Sequence, residues 1–287
     1  MPKIWWLAIR PKTLTVSIVP VVVGSSFAYA DEGKISWLLL LATLFGAMLI
    51  QIGTNLHNDV GDFERGVDSI DRLGPLRATA SGWLEPSAVR RAAFVCFGIA
   101  MLMGCYLVWK GGWPILLLGL CSVAAGWAYT GGPYPIAYIA LGEVFVWLFF
   151  GLGAVMGSYY LQTFRFDWSV FEAASMIGFL AAAVIAVNNY RDLDSDRKIG
   201  KNTLAVCLGR TVSMMEYGLL VLAPYLMLFL QVTSKMWWLP ALTQPWAISM
   251  VVLFFREAPG PIFNRILAQT AKLQLGFGLL LSLGLLA

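Results

Sequence analysis

The residues best suited to chemistry in this 287-residue chain are carboxylates, and they are crowded. Seven of the nine aspartates fall in two short windows, Asp59, Asp62, Asp68 and Asp71 in one and Asp192, Asp194 and Asp196 in the other. Asn58-x-x-x-Asp62 and Asn188-x-x-x-Asp192 share one spacing, which the second window extends to Asp196. Residues four apart share a helix face, and like charges there destabilise the helix unless a cation holds them. Oxygen-only donors suit Mg²⁺, which keeps several waters and binds through one or two carboxylates plus substrate phosphates. The expected metal ligands are therefore Asn58, Asp62, Asp68, Asn188, Asp192 and Asp196, with Asp62, Asp192 and Asp196 the catalytic core of the set. Asp59, Asp71 and Asp194 lie on other faces and divide between support of the cluster and solvated loop.

Basic residues stand among these carboxylates: Arg72 and Arg77 in the first window, Arg191, Arg197, Lys198 and Lys201 in the second. A polyanion such as a diphosphate, bridged by Mg²⁺, keeps charge that Arg and Lys can neutralise, Arg through paired hydrogen bonds. Arg72, Arg77, Lys198 and Lys201 are the expected diphosphate contacts, Arg77 and Lys201 foremost. Membrane topology alone would also place some cations here.

The elements that must position these groups are apolar. The chain is 59% hydrophobic and 13% charged, with a mean hydropathy of +0.74, whereas soluble domains carry about 25% charged residues. Nine runs approach the roughly 20 residues that cross a bilayer, at about 13–30, 36–56, 88–109, 113–130, 135–157, 169–189, 211–231, 236–255 and 266–286. The first window should extend the second span and then turn through Gly66, Gly74 and Pro75; the second should extend the sixth and turn near Gly200. Four spans separate the windows, so both lie on one side, as a parallel internal repeat would place them.

With the N-terminus in the cytoplasm, sixteen of the twenty Lys and Arg residues fall on that side, leaving Lys34, Lys110, Arg165 and Lys235 opposite. That bias puts the N-terminus and both aspartate windows at the cytoplasmic face of an inner, cytoplasmic-type membrane. The segment before the first run lacks a signal-peptide cleavage site, so the run reads as a span. Cys96, Cys105, Cys121 and Cys207 are scattered and form no C-x-x-C pair, which argues against a disulfide framework or zinc site. No G-x-S-x-G, Walker A or G-x-G-x-x-G pattern is present, and the cations follow topology, so hydrolase, NTPase, dinucleotide and nucleic-acid readings lack support.

Asn58-Asp-x-x-Asp62 with Asp68 beyond it, and Asp192-x-x-x-Asp196, resemble the two aspartate-rich motifs of the UbiA superfamily of intramembrane prenyltransferases. Further phrases resemble its 1,4-dihydroxy-2-naphthoate branch: Arg10-Pro-Lys-Thr-Leu14, Asn58-Asp-Val-Gly-Asp-Phe63, Gly74-Pro-Leu-Arg77, Leu141-Gly-Glu143, Gly157-Ser-Tyr-Tyr-Leu-Gln162 and Gly200-Lys-Asn-Thr-Leu204. The likeness runs from about residue 8 to 210, and the last three spans match only as hydrophobic helices. Gly66 stands where many members carry a third aspartate, for which Asp68 is the candidate substitute. The segment Tyr129-Thr-Gly-Gly-Pro-Tyr134 lacks a lysine found in some members.

The resemblance implies an all-α membrane protein with nine transmembrane helices around a central cavity, a single domain over residues 1–287. It implies Mg²⁺-dependent transfer of a polyprenyl or phytyl group from its diphosphate to 1,4-dihydroxy-2-naphthoate, with loss of carbon dioxide and diphosphate, within the lipid bilayer. Tyr129 and Tyr134 are candidates to shield an allylic cation through cation–π attraction, although aromatic residues also gather at membrane interfaces without a role in chemistry. Glu143, an ionisable group just inside the fifth span, joins this acceptor and cation pocket, because charge at membrane depth is expensive and usually functional. His57, the only histidine, is a weaker candidate. The alternatives are a sibling enzyme acting on 4-hydroxybenzoate or another acceptor, an ion-coupled transporter, or a non-catalytic isoprenoid binder. Transporter sites lie near the bilayer midplane, whereas these carboxylates sit at span ends.

Overall fold

Tight turns and helix caps divide the apolar sequence into helices in a computed structural model that describes residues 2–66, 73–74, 77–230 and 238–287. Asp68, Asp71, Arg72 and Lys235 lie outside the described residues. A short α1 (Pro2–Ile9) leads into α2 (Pro11–Glu32), with proline in the first turn, where its missing N–H costs no helical bond. Ser36 caps α3 (Trp37–Glu64) by accepting from the Leu39 amide. Then come α4 (Pro86–Gly111), α5 (Trp113–Ala128) and a broken span made of α6 (Gly142–Val146), a π-helical turn (Trp147–Gly153) and α7 (Ala154–Thr163). Asp167 caps α8 (Trp168–Lys198) through the Ser169 amide. The chain closes with α9 (Leu204–Leu230), α10 (Gln244–Arg256) and α11 (Ile262–Leu286).

Helix occupies part of each of the nine expected apolar runs, yet only eight helical segments among the described residues have spanning length and apolarity. The exception is α5, whose 16 residues reach about 24 Å, short of the roughly 30 Å hydrocarbon core. The fifth span also starts later than its hydropathy suggests. Residues 135–141 form a short 3-10 turn and loop instead, in which the Ala137 amide donates to Tyr129 O at 3.0 Å and Ile139 bridges Asn202. Among the described residues there is no strand beyond that isolated bridge.

The core centres on α8. Its run Ala173, Ala174, Gly178 and Ala181–Ala183 is small and buried, so neighbouring helices approach closely. A Cβ on Gly151 of the π-turn would lie 2.7 Å from Gly178 Cα, which fixes the broken span against α8. On the far side Tyr217, Phe254, Phe263 and Phe277 pack α9, α10 and α11 against it. The protein is an integral, multi-pass helical membrane protein.

Candidate active site

Both aspartate windows continue their helices, as their spacing requires: Asn58 and Asp62 ride the last turns of α3, and Asn188, Asp192 and Asp196 those of α8. Asp62, Asp192 and Asp196 are all buried, and the charges of Asp62 and Asp192 both act on Asp196. The two windows therefore converge, although 126 residues separate Asp62 from Asn188 in the chain.

Each of these three carboxylates carries a cation. Arg77 donates to Asp62. Arg191 grips Asp192 with two bonds, Nε to Oδ1 at 2.7 Å and Nη2 to Oδ2 at 2.6 Å. Lys201 Nζ stands 3.4 Å from Asp196 Oδ1. Pairing of this kind offsets the cost of holding ionised groups away from water. Arg191 also reaches Asn188 at 2.8 Å and Asn264 of α11 at 2.7 Å. Asn264 in turn donates to Leu73 O, which ties α11 to the loop after the first window.

These groups close one end of a cavity of about 1110 Å³. Asn58, Asp62, Arg77, Tyr129, Asn188, Arg191 and Lys201 line that end, while Asp192 and Asp196 stand behind their cationic partners. The remaining wall is mostly apolar, with Gly46, Ile50, Leu116, Phe149 and Val184 among its residues, although Arg10, Lys12, Gln51 and Asn55 also line it. Glu143 is buried behind Asn189, whose amide donates to Glu143 Oε1 at 2.6 Å. Tyr134 is 81% exposed and does not line the cavity. Lys198 is exposed at the end of α8.

The Tyr129 hydroxyl pKa is raised, first by burial and then by the negative charges of Glu143, Asp62 and Asp196, so it stays protonated as a donor. Tyr138 sits between Arg65, 5.4 Å from its ring centroid, and Lys201, 5.7 Å away. Burial and the charge of Asp62 raise its hydroxyl pKa as well.

The framework around these side chains was invisible as chemistry in the sequence. Asp59 turns out to be a loop anchor: it accepts from the Ala78 amide at 3.1 Å, the Thr79 amide at 3.2 Å and the Thr79 hydroxyl. That holds Arg77 over Asp62. Thr130 donates to Asn58 Oδ1 at 2.8 Å, and Arg65 binds the carbonyls of Thr130 and Gly132. Gly61 lets this loop approach, since a Cβ there would meet Thr130 Oγ1 at 3.0 Å. Asp194, by contrast, is exposed and pairs with Arg210 at 2.5 Å.

An expected result follows for Asp59→Ala, which strips two buried amides of their acceptor. Unsatisfied buried groups cost about 1–3 kcal/mol each, so melting in detergent should fall, and activity should drop by roughly 10–100-fold as Arg77 loses its placement. An unchanged melting temperature would show that the 77–80 turn does not depend on this carboxylate.

The donor chemistry fits a hard divalent cation. Oxygen is the only donor type among the motif residues, and Asp196 Oδ2 is buried without a hydrogen-bond partner among the described residues. No three acidic, histidine or cysteine side chains among those residues meet at one point. A hard cation here would thus be shared between one or two carboxylates and a substrate's phosphates, the usual arrangement for Mg²⁺.

The fold and site together define a polytopic membrane protein whose cavity is charged at one end and mostly apolar along the rest. A model of the UbiA prenyltransferase family matches residues 17–261, and the chain belongs to that family. It is 34% identical over 300 residues to the 1,4-dihydroxy-2-naphthoate octaprenyltransferase of Bacillus subtilis, covering 100% of this chain and 93% of that one. The enzyme of the same name from Escherichia coli is 35% identical over 291 residues, covering 98% and 94%. Among solved structures, a UbiA homolog from Archaeoglobus fulgidus bound to DMAPP and Mg²⁺ superposes with a TM-score of 0.67 at 16% identity, over 97% of this chain and 99% of that one. The apo UbiA homolog from Aeropyrum pernix gives 0.71 at 15% identity, over 96% and 98%. These structures share the fold.

Proposed function

We propose that this protein transfers a polyprenyl or phytyl group from its diphosphate to 1,4-dihydroxy-2-naphthoate; the enzymes it matches over almost its whole length are named 1,4-dihydroxy-2-naphthoate octaprenyltransferases. The observation that carries the reading is one cavity with two natures. Arg77, Arg191, Lys201 and the paired carboxylates supply an end for a diphosphate, and the apolar wall supplies a channel for an isoprenoid tail.

In this reading Asn58, Asp62, Asn188, Asp192 and Asp196 hold Mg²⁺, and Asp68 is a further candidate beyond the described residues. Bound Mg²⁺ supplies Lewis-acid stabilisation of the departing diphosphate. Arg77, Arg191 and Lys201 are displaced from their carboxylates toward the diphosphate oxygens and neutralise the remaining charge. Lys198, exposed at the end of α8, and Arg72, beyond the described residues, are further candidates for this neutralisation. The allylic C–O bond breaks, and its electron pair leaves with diphosphate. The electron-rich ring carbon bearing the carboxylate attacks the allylic carbon. The ring then regains its aromaticity as the carboxylate departs as carbon dioxide, so no net proton is released. Tyr129, protonated and at the cavity wall, orients the acceptor or faces the cation, with Glu143 and Asn189 behind it. Tyr134 can act at the entrance only. The charged end faces the cytoplasm of an inner, cytoplasmic-type membrane, and residues 1–287 act as one domain.

Purified protein in detergent, supplied with geranylgeranyl or phytyl diphosphate, Mg²⁺ and either 1,4-dihydroxy-2-naphthoate or 4-hydroxybenzoate, tests this. The expected result is prenylated naphthoquinol and carbon dioxide with the naphthoate alone, none after EDTA, and recovery when Mg²⁺ is returned. Product with 4-hydroxybenzoate only would move the protein to a sibling reaction. Product undiminished by EDTA would remove the metal from the mechanism.

A further inference from the structure

A second cavity, of about 330 Å³, lies between the ends of α3, α4 and α5 and shares only Thr130 with the large one. Its wall is basic and aromatic: His57, Arg65, Arg90, Phe94 and Trp127, with Glu64 at its rim. Two arginines against one glutamate leave it one positive charge in excess. The Arg65 hydrogen bonds go to neutral carbonyls, and among the described residues it forms no ion pair. Arg90 pairs with Glu64 in an exposed bridge, a partner that a stronger anion could replace.

His57 is 9% exposed, and neither ring nitrogen has a hydrogen-bond partner among the described residues. A neutral imidazole carries one donor and one acceptor, and leaving both unmet in a buried place is costly. Trp127 stacks beside the ring at 6.2 Å, and Phe94 tilts against it at 6.4 Å. Trp127 and Phe94 also present 42% and 51% of their surfaces outward. All of these residues sit where apolar helices meet water: the last turns of α3 and α5 and the beginning of α4. That is the depth of lipid headgroups, where basic pockets between spans recognise anionic lipids.

We propose that this cavity binds the headgroup of an anionic glycerophospholipid bearing a free hydroxyl, the phosphatidylglycerol class. Arg65 and Arg90 take the phosphodiester. A small rotation of the His57 ring lets it donate to a phosphate oxygen and accept from the headgroup hydroxyl. The outward faces of Phe94 and Trp127 flank the acyl chains. Occupancy bears on the large cavity as well, because Arg65 holds the Thr130 and Gly132 carbonyls and Thr130 holds Asn58.

The test is native mass spectrometry and thermal melting of the purified full chain in neutral detergent. Dioleoylphosphatidylglycerol, dioleoylphosphatidylcholine and inorganic phosphate are titrated separately. Phosphatidylglycerol should form a one-to-one adduct and raise the melting temperature more than phosphatidylcholine does. Arg90→Gln and His57→Phe should each raise its half-saturating concentration about fivefold. Arg91→Gln, exposed on α4 and not part of the cavity wall, should leave it unchanged. Equal weakening by Arg91→Gln, or no weakening by Arg90→Gln, would overturn the site in favour of bulk surface charge. Inorganic phosphate matching the lipid's stabilisation would overturn the lipid as occupant. If His57→Phe does not fold, Arg90→Gln decides alone, since it alters only an exposed pair.

Discussion

Asp62→Asn is expected to lower turnover by on the order of 10³-fold and to lower thermal stability as well, while adding Arg77→Gln restores the stability and leaves turnover lost. The two effects have different sources. Asp62 and Arg77 form a buried pair, each side chain 5% exposed. Removing one charge takes a buried, oppositely charged partner from the other and is destabilising, whereas removing both is often nearly neutral. Sequence alone suggests that Asp62→Asn spares folding; the Arg77 contact changes that expectation for the single variant. Turnover behaves otherwise, because a neutral amide cannot replace a carboxylate in holding a divalent cation, whatever Arg77 has become. The measurement is melting and single-turnover product formation for wild type, both single variants and the double. A double variant that regains turnover would mean that neither side chain is needed for the reaction and that the single variant fails through the pairing it breaks. Near-normal turnover in Asp62→Asn itself would remove it from the metal site.

The motif carboxylates were legible because their chemistry is local. An i, i+4 spacing at a span end says which side chains share a face, and α3 and α8 extend through Glu64 and Lys198 as that spacing demands. Contacts between distant segments left no such trace. Thr130 and Asn58 are 72 residues apart, and Arg191 and Asn264 are 73 apart, so neither pair announces itself in a window of sequence. Asn264 in particular lies in the connection before the last apolar run, beyond the stretch from about residue 8 to 210 that carries the resemblance. Hydropathy also misplaced the start of the fifth span. Pro135 through Leu141 is apolar enough to pass for membrane helix, yet it lies across the charged end, where Ile139 pairs with Asn202 just after the second window. Apolar composition does not separate a helix in lipid from a partly buried loop: Pro135 and Ile136 are buried here, while Ile139 and Leu141 are exposed. The short α5 reflects the same ambiguity, since its run continues through Tyr129 while the helix stops at Ala128.

Arg191→Lys, a change that keeps the charge, is expected to reduce activity by roughly 10–100-fold, while Arg197→Lys stays within about twofold of wild type. Positive-inside topology explains a cation at either position equally well, so sequence gives no reason to separate them. The structure does. Arg197 is exposed, and Arg191 is 2% exposed with bonds to both oxygens of Asp192, to Asn188 and to Asn264. A planar guanidinium meets these acceptors in fixed directions; an ammonium is a point charge on a flexible stem and cannot span them. Lysine at this position would leave Asn264 or Asn188 without its donor and let the Asp192 carboxylate turn. How the loss divides between two constants shows what Arg191 does. A rise in the Mg²⁺ concentration for half-maximal rate, with the KM for prenyl diphosphate unchanged, identifies Arg191 as the residue that positions Asp192. A raised KM for the diphosphate at saturating Mg²⁺ identifies a direct contact, consistent with its place in the cavity wall. Wild-type activity in Arg191→Lys would mean that charge alone is needed here, and the four-bond geometry would then belong to folding rather than to the reaction.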